Sequence, residues 1–549
     1  MTDLSRRRFV SLAGIGLGSV ALGGLLPACS SPTTAADGGQ GAGSASQVIV
    51  AMNTGSEPAA GFDPLVAWGC GEHVHEPLIQ STLLRTTATM GFENDLATSY
   101  SCSDQGMTWT FSLRDDVSFT DGTPLTAEDA AFTFNGIINS PAAQADLSMV
   151  DNAEAPDGRT LVLHMKKPFN ALLYTLAVVG IVPAHAYGAD YGSHPVGSGR
   201  YMLEQWDKGQ QAILRANPGY YGEAPNIDRV VVVFMEEDAA LAAVRSGQAD
   251  IAFTTAIFAG QHISGYELLT CKTVDSRGIS LPTPRAGATK ADKGVTYPCG
   301  NDVTSDVALR RALNYALDRK ALVANVLDGH GSPAFSVSDG MPWASADMVV
   351  ATDKEKAKSL LDEAGWLEGT DGIRRKDGQL AAFTLHYPSN DSVRQGLAAE
   401  FSNQMREVGV KVDVMGGSWD ELYSYQYSDP ILWGWGSNSP IELYELNYST
   451  GWGNFASYED PQVDSYLDQA LATLDIEDSY RFWEQAQWDG SHGIAPQGAA
   501  TWVWLANIDH LYFKRTNLDV ADQKLHPHGH GWSLVNNVDR WAWEQQGDA

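Results

Sequence analysis

The run from Met107 to Phe134 constrains the fold more than any other stretch. Trp109, Phe111 and Leu113 alternate with Thr110, Ser112 and Arg114, the period of a half-buried strand. Asp121-Gly122 then supplies a turn, because glycine tolerates positive φ and aspartate bonds nearby backbone. Thr126-Ala127-Glu128-Asp129 has the chemistry of a helix start: a hydroxyl for the first orphan amides, and two carboxylates for the positive end of the helix dipole. Ala130, Ala131, Phe132 and Phe134 begin the helix body. Strand, tight turn and capped helix are expected, a unit that many α/β domains can hold.

The chain has 549 residues, more than one hydrophobic core usually serves, so at least two lobes are expected. A net charge of −31 repels phosphate backbones and sets nucleic-acid binding aside. Residues 1–29 are a targeting segment rather than fold. Ser5-Arg6-Arg7-Arg8-Phe9-Val10 resembles a twin-arginine export signal, although general secretory signals also carry arginines. A glycine-rich apolar run follows, and Leu26-Pro27-Ala28-Cys29 resembles a lipobox that would make Cys29 the lipidated first residue. An ordinary cleaved signal is the alternative. Residues 30–47, rich in Ser, Thr, Ala and Gly, form an expected flexible tether.

Further landmarks recur along the chain. They include Gly61-Phe62-Asp63-Pro64, Glu76-Pro77-Leu78-Ile79, Pro195-Val196-Gly197-Ser198-Gly199-Arg200-Tyr201 and Asn217-Pro218-Gly219-Tyr220-Tyr221. Ser246-Gly247-Gln248-Ala249-Asp250-Ile251, the helix-spaced run Val307 to Arg319, and Glu355 to Trp366 follow, with Gly365 placed to end a helix. Together with the Met107–Phe134 run, these resemble the signature of the solute-binding proteins of peptide/nickel-type ABC importers, the bacterial extracellular family 5. The resemblance extends from about residue 48 to about residue 515.

The resemblance implies an α/β, two-lobe periplasmic-binding-protein-like fold with a hinge and an extra subdomain in the first lobe. The boundaries expected are 48–274 for the first lobe with its subdomain, 275–499 for the second, and 500–549 for the return to the first. It further implies a monomer that takes a small peptide-like or metal-chelate solute, partnered by an ABC permease with a separate ATPase and held to the membrane by its lipid. No cofactor is expected. No nucleophile elbow, phosphate loop or zincin helix is present, so an enzyme is not expected. The rival reading is a secreted glycan-binding or hydrolytic protein whose acidic pairs and tryptophans grip a polymer.

Leu432-Trp433-Gly434-Trp435-Gly436-Ser437-Asn438-Ser439-Pro440 falls where peptide-binding relatives have a W-x-x-D-x-x-D-P run. The amine-gripping aspartate position holds Gly436 here, and Ser439 replaces the second aspartate. Glu442 and Glu445 lie just beyond and could supply charge. The nickel-chelate site does not carry over, since neither 176–182 nor 448–455 has the residues it uses. Trp433, Trp435, Ser437 and Asn438, together with Trp68 and Arg277, are the expected ligand contacts: rings to line a cleft, neutral donors and acceptors, and a guanidinium fork for a carboxylate. Trp435 is expected to serve the ligand and not the stability of the empty protein. Trp488, Trp502 and Trp504 are expected in the core.

His526-Pro527-His528-Gly529-His530 has imidazoles at alternate positions, which suits either a metal site or a loop held by histidine hydrogen bonds. His73 and His75 form a weaker pair. With Cys29 lipidated, four cysteines remain. A bridge between Cys271 and Cys299 is expected to staple the segment between the lobes, and Cys70 and Cys102 are open between a bridge and free thiols.

Overall fold

The computed structural model describes residues 46–66, 69–70, 73–292, 294–529 and 531–544. Cys29, Trp68 and His530 lie outside these residues, as do the side chains of Cys70 and His73.

The Met107–Phe134 run folds as its pattern requires. Strand Thr108–Leu113 buries Trp109, Phe111 and Leu113. Gly122 takes φ +87°, and Asp121 Oδ1 accepts from Thr123 N at 2.9 Å. Helix Ala127–Ile138 starts at Thr126, whose backbone N donates to Asp129 Oδ2 at 2.9 Å. The strand sits in a four-stranded antiparallel sheet with Ala97–Ser103, Thr160–Met165 and Val150–Asp157. The helix packs on one face of that sheet, and this is the extra subdomain.

Two larger sheets carry the lobes. The first has the order Tyr201–Asp207, Gln211–Ala216, Arg229–Phe234, Gln47–Met52, Ile251–Thr254, His510–Arg515, Tyr266–Cys271. Gln47–Met52 runs parallel to both its neighbours, and Val48, Val50 and Met52 are buried, as expected of a central strand covered on its faces. The second has the order Gly331–Pro333, Trp502–Ile508, Ser276–Ser280, Ile431–Trp435, Ala382–Pro388, Lys411–Gly417. Helices Val307–Ala316 and Ser392–Arg406 pack their apolar faces into its core through Leu309, Leu313, Leu397 and Phe401.

The chain leaves the first sheet after Cys271, enters the second at Ser276, and returns between Ile508 and His510. Strand Trp502–Ile508 is paired within the second sheet, so the return falls at Asp509 rather than at residue 500. The crossings bind each other. Ile508 N donates to the Asp275 carbonyl at 2.9 Å, Thr273 Oγ1 donates to the Ile508 carbonyl at 2.6 Å, and Lys272 Nζ meets Asp509 Oδ2 at 2.7 Å.

The Cys271–Cys299 bridge does not form: both thiols are buried and free. Cys271 ends a strand of the first sheet opposite His510. Cys299 ends the hairpin Ala288–Asp292/Val295–Cys299 beyond the crossing, where its Sγ lies 3.4 Å from Ser457 Oγ. Cys102 is also free.

Candidate functional site: the cleft at the crossings

Asp275, on the first crossing, is the centre of a buried polar cluster. Arg277 binds both of its oxygens, His528 Nδ1 lies 2.5 Å from Oδ1, and His510 Nε2 lies 3.1 Å from Oδ2. Burial alone would raise the Asp275 carboxyl, but Arg277, His528 and His510 outweigh it and hold it well below the usual carboxylate range.

The histidine loop reaches this cluster because 526–528 lies alongside the first crossing. His526 N donates to the Lys272 carbonyl at 3.0 Å, Val274 N donates to the His526 carbonyl at 2.9 Å, and His528 N donates to the Gly436 carbonyl at 2.6 Å. His526 Nδ1 stands 3.1 Å from His510 Nδ1, and its Nε2 stands 3.1 Å from Gln523 Oε1. These ring nitrogens are engaged with protein groups, and among the described residues no three His, Cys, Asp or Glu side chains are grouped to hold a metal. For His526 and His528 the metal expectation therefore gives way to a hinge clasp. His75, from the first lobe, completes the cluster. Its Nε2 is buried without a hydrogen-bond partner among the described residues. Burial, with His528 and His510 nearby, lowers its pKa to about 4, so it is neutral.

Two cavities flank this clasp. One, of about 850 Å³, lies between the lobes: Thr54, Glu236 and Glu237 line it from the first, and Arg277, Arg394 and Trp433 from the second. The other, of about 710 Å³, lies between the 141–148 segment of the subdomain and the 435–439 loop. Trp435 and His528 line both. Of the expected ligand contacts, the structure thus places Trp433 and Arg277 on the larger cavity, Ser437 and Asn438 on the smaller, and Trp435 between them.

Trp433 and Trp435 are also core residues, 3% and 4% exposed. Trp433 stacks on Phe455 at 4.2 Å between centroids, and Trp435 meets Trp452 edge-on at 5.5 Å. The separation of cleft tryptophans from core tryptophans therefore fails for this pair. Trp502 and Trp504 are buried and stacked at 4.9 Å, whereas Trp488 is only partly buried. The accessible ring on the larger cavity is Trp419, 37% exposed and stacked on Trp433 at 5.8 Å.

Gly436 has φ +141°, and a Cβ there would lie 1.9 Å from the Val274 carbonyl oxygen. The crossing passes too close for any side chain, aspartate included. Gly436 N donates to Glu442 Oε2 at 2.8 Å. Burial, opposed by that bond and helped by Asp275, raises the Glu442 carboxyl to about 8. Glu442 therefore enters neutral solution protonated and offers no charge.

Gly434 is constrained by side chains instead. A Cβ there would stand 2.4 Å from Arg394 Nη2, 2.6 Å from His528 Cε1 and 2.8 Å from Arg277 Nη1. Sequence reasoning missed Arg394, whose Nη1 pairs with Asp391 at 2.5 Å at the start of its helix. Its local sequence carries no mark of the cleft.

Comparison with known proteins places this geometry. The profile of the bacterial extracellular solute-binding proteins, family 5 Middle, matches residues 91–456. Protein XP55 of Streptomyces lividans is 34% identical over 521 residues, 88% of each chain. Oligopeptide-binding protein AppA of Bacillus subtilis is 26% identical over 438 residues, 75% of this chain and 78% of its own. The crystal structure of NikZ from Campylobacter jejuni in complex with Ni(L-His) superimposes with a TM-score of 0.75 at 24% identity, covering 91% of this chain and all of that one. Its likeness shows the two-lobe periplasmic-binding fold. The chain belongs to the bacterial extracellular solute-binding proteins of family 5, and is a binding protein rather than an enzyme.

Proposed function

We propose that this protein captures a small peptide-like or metal-chelate solute between its lobes and delivers it to the permease of an ABC importer. The observation that carries the reading is the cavity of about 850 Å³ lined from both lobes beside two hydrogen-bonded crossings. A solute touching both walls favours a closed form, and the permease recognises that form. Relatives named as oligopeptide-binding and nickel-binding proteins support the solute class. The protein acts as a monomer outside the cytoplasm, tethered through lipid on Cys29. Gently desalted protein, opened by denaturant and analysed by mass spectrometry, should release a small solute. Adding that solute back should reduce the radius of gyration in X-ray scattering. Replacement of Cys29 by Ala should move the protein from the membrane fraction to the soluble one. Unchanged membrane retention counts against the anchor alone.

A further inference from the structure

Two histidine rings at the hinge face each other with the same nitrogen. His510, where the second crossing enters the first sheet, and His526, in the C-terminal segment, stand Nδ1 to Nδ1 at 3.1 Å. Neighbours that can only donate or only accept decide where the other ring protons lie. The Trp541 indole Nε1 can only donate, and it donates to Asn537 Oδ1 at 2.9 Å. The Gln523 atom 2.9 Å from that same oxygen is therefore its amide nitrogen, which also donates to the Ala521 carbonyl at 3.0 Å. This leaves Gln523 Oε1, an acceptor, 3.1 Å from His526 Nε2, so that nitrogen carries a proton. On the other ring, His510 Nε2 faces the Asp275 carboxylate at 3.1 Å and carries one too.

With both Nε2 nitrogens protonated, two neutral rings would aim bare lone pairs at each other. One added proton turns that repulsion into a charge-assisted hydrogen bond. The charges around the pair admit one proton and resist a second. Asp275, on the first crossing, favours a cation at His510, while Arg277 on the same carboxylate opposes it. Arg394, beyond Arg277, is paired with Asp391. His75 from the first lobe and His528 from the C-terminal segment crowd the site with further imidazoles. Asp509, next to His510, is taken up by Lys272 Nζ at 2.7 Å, and Lys524, near His526, by Glu76 at 2.8 Å. Cys271, opposite His510 in the sheet, and Tyr512 are both pushed up by burial and stay neutral. Burial, then His510 and His75, hold His526 well below the ordinary imidazole value, which makes it the accepting ring and His510 the imidazolium.

We propose that His510 and His526 share one proton at neutral pH and that this proton latches the hinge. The latch runs from one crossing to the other and back. Asp275 on the first crossing binds His510 on the second, His510 binds His526, and the His526 backbone bonds Lys272 and Val274 on the first crossing again. Loss of the proton forces one ring to turn, and turning gives up either Asp275 or Gln523. Unfolded histidines titrate near 6.5, so above that pH the unfolded pair holds less than one proton between its rings while the folded pair holds one. The latch therefore stabilises the hinge at neutral pH and is lost as pH rises and the shared proton leaves. This device is independent of which solute the cleft takes.

Nitrogen NMR of the full exported chain, labelled at histidine, tests the shared proton. At pH 7 a downfield ring proton is expected, with scalar coupling across the hydrogen bond between two Nδ1 nitrogens, and it should vanish as pH is raised. His526→Gln should remove it at every pH. Hydrogen exchange tests the latch. After correction for base catalysis, protection of the Val274 and Ile508 amides, which bond across the crossings, should fall about tenfold or more as the proton leaves, while that of Val50 in the sheet centre holds. In His526→Gln the protection at Val274 and Ile508 should no longer depend on pH. Both measurements on the parent stand even if the variant folds poorly. Two bare, uncoupled Nδ1 nitrogens at pH 7 overturn the shared proton, as does one equivalent of metal bound between the rings. A coupled proton whose loss leaves exchange at Val274 and Ile508 unchanged overturns the latch.

Discussion

His528 Nδ1 and Asp275 Oδ1 stand 2.5 Å apart across 253 residues of sequence. The contact ties the C-terminal segment to the first crossing, and Arg277 and His510 share the same carboxylate. Asp275→Asn should therefore cost about 3–5 kcal/mol in urea unfolding, because it leaves a buried guanidinium without its counter-charge. A loss within error would mean that the cluster does not clasp the hinge.

Stability should fall on acidification between about pH 6.5 and 4. His75 is neutral in the fold, with its pKa lowered to about 4 from 6.5, so the unfolded chain binds more protons throughout that window. Its contribution is present above 6.5 and lost as pH drops, by about 3 kcal/mol at most. Lowered His526 and His528 act in the same direction. Denaturant midpoints measured across the window should show a shallower slope in His75→Gln.

Glu442 should have the opposite sign. Its pKa, raised from 4.5 to about 8, means the native protein keeps a proton that the unfolded chain has released. Its contribution is complete below 4.5 and lost as pH climbs through 8, about 5 kcal/mol at most. Glu442→Gln keeps an acceptor for Gly436 N and removes this loss. Its advantage over the parent should grow from pH 5 to pH 8 in thermal melts.

Trp419 and Trp433 should part company on truncation. Trp433→Ala removes a ring stacked on Phe455 within the core and should cost about 3–5 kcal/mol. Trp419→Ala should cost under about 1 kcal/mol in the empty protein yet weaken solute binding about tenfold. Equal binding by Trp419→Ala would remove its ring from the solute's surroundings.

Restoring an aspartate at position 436 should not restore an amine grip. The substituted Cβ would meet the Val274 carbonyl at 1.9 Å and require positive φ, so Gly436→Asp should lose several kcal/mol, read by urea unfolding. A stable variant with increased affinity for free amines would contradict the steric argument.

What the sequence made legible was local. The strand and capped helix of Met107–Phe134 follow from alternation, a turn glycine and a helix-starting Thr-Ala-Glu-Asp. Gly365 does end its helix in the left-handed region, at φ +87°. Helix Ser392–Arg406 starts where Asp391 accepts from Arg394 N, a cap that an aspartate two residues after Ser389 supplies locally. The clasp was illegible because its members come from 75, 275, 510 and 526–528, and only folding brings them together. Histidines at alternate positions look like metal ligands until a distant aspartate is seen to bind one of them. Arg394 and Glu237 escaped for the same reason: neither has a neighbour in sequence that hints at the opposite wall.

Strand His510–Arg515 lies inside the first sheet, between Ile251–Thr254 and Tyr266–Cys271. All six strands of the second sheet fall within 276–508, one uninterrupted stretch. A chain emerging from its N-terminus can therefore complete the second sheet while the first still has a gap in the middle. The lobe begun earliest is finished last, and the edges flanking that gap stay open for pairing until the end arrives. Truncation between Ile508 and Arg515 thus leaves every strand of the second sheet in the chain and opens the middle of the first.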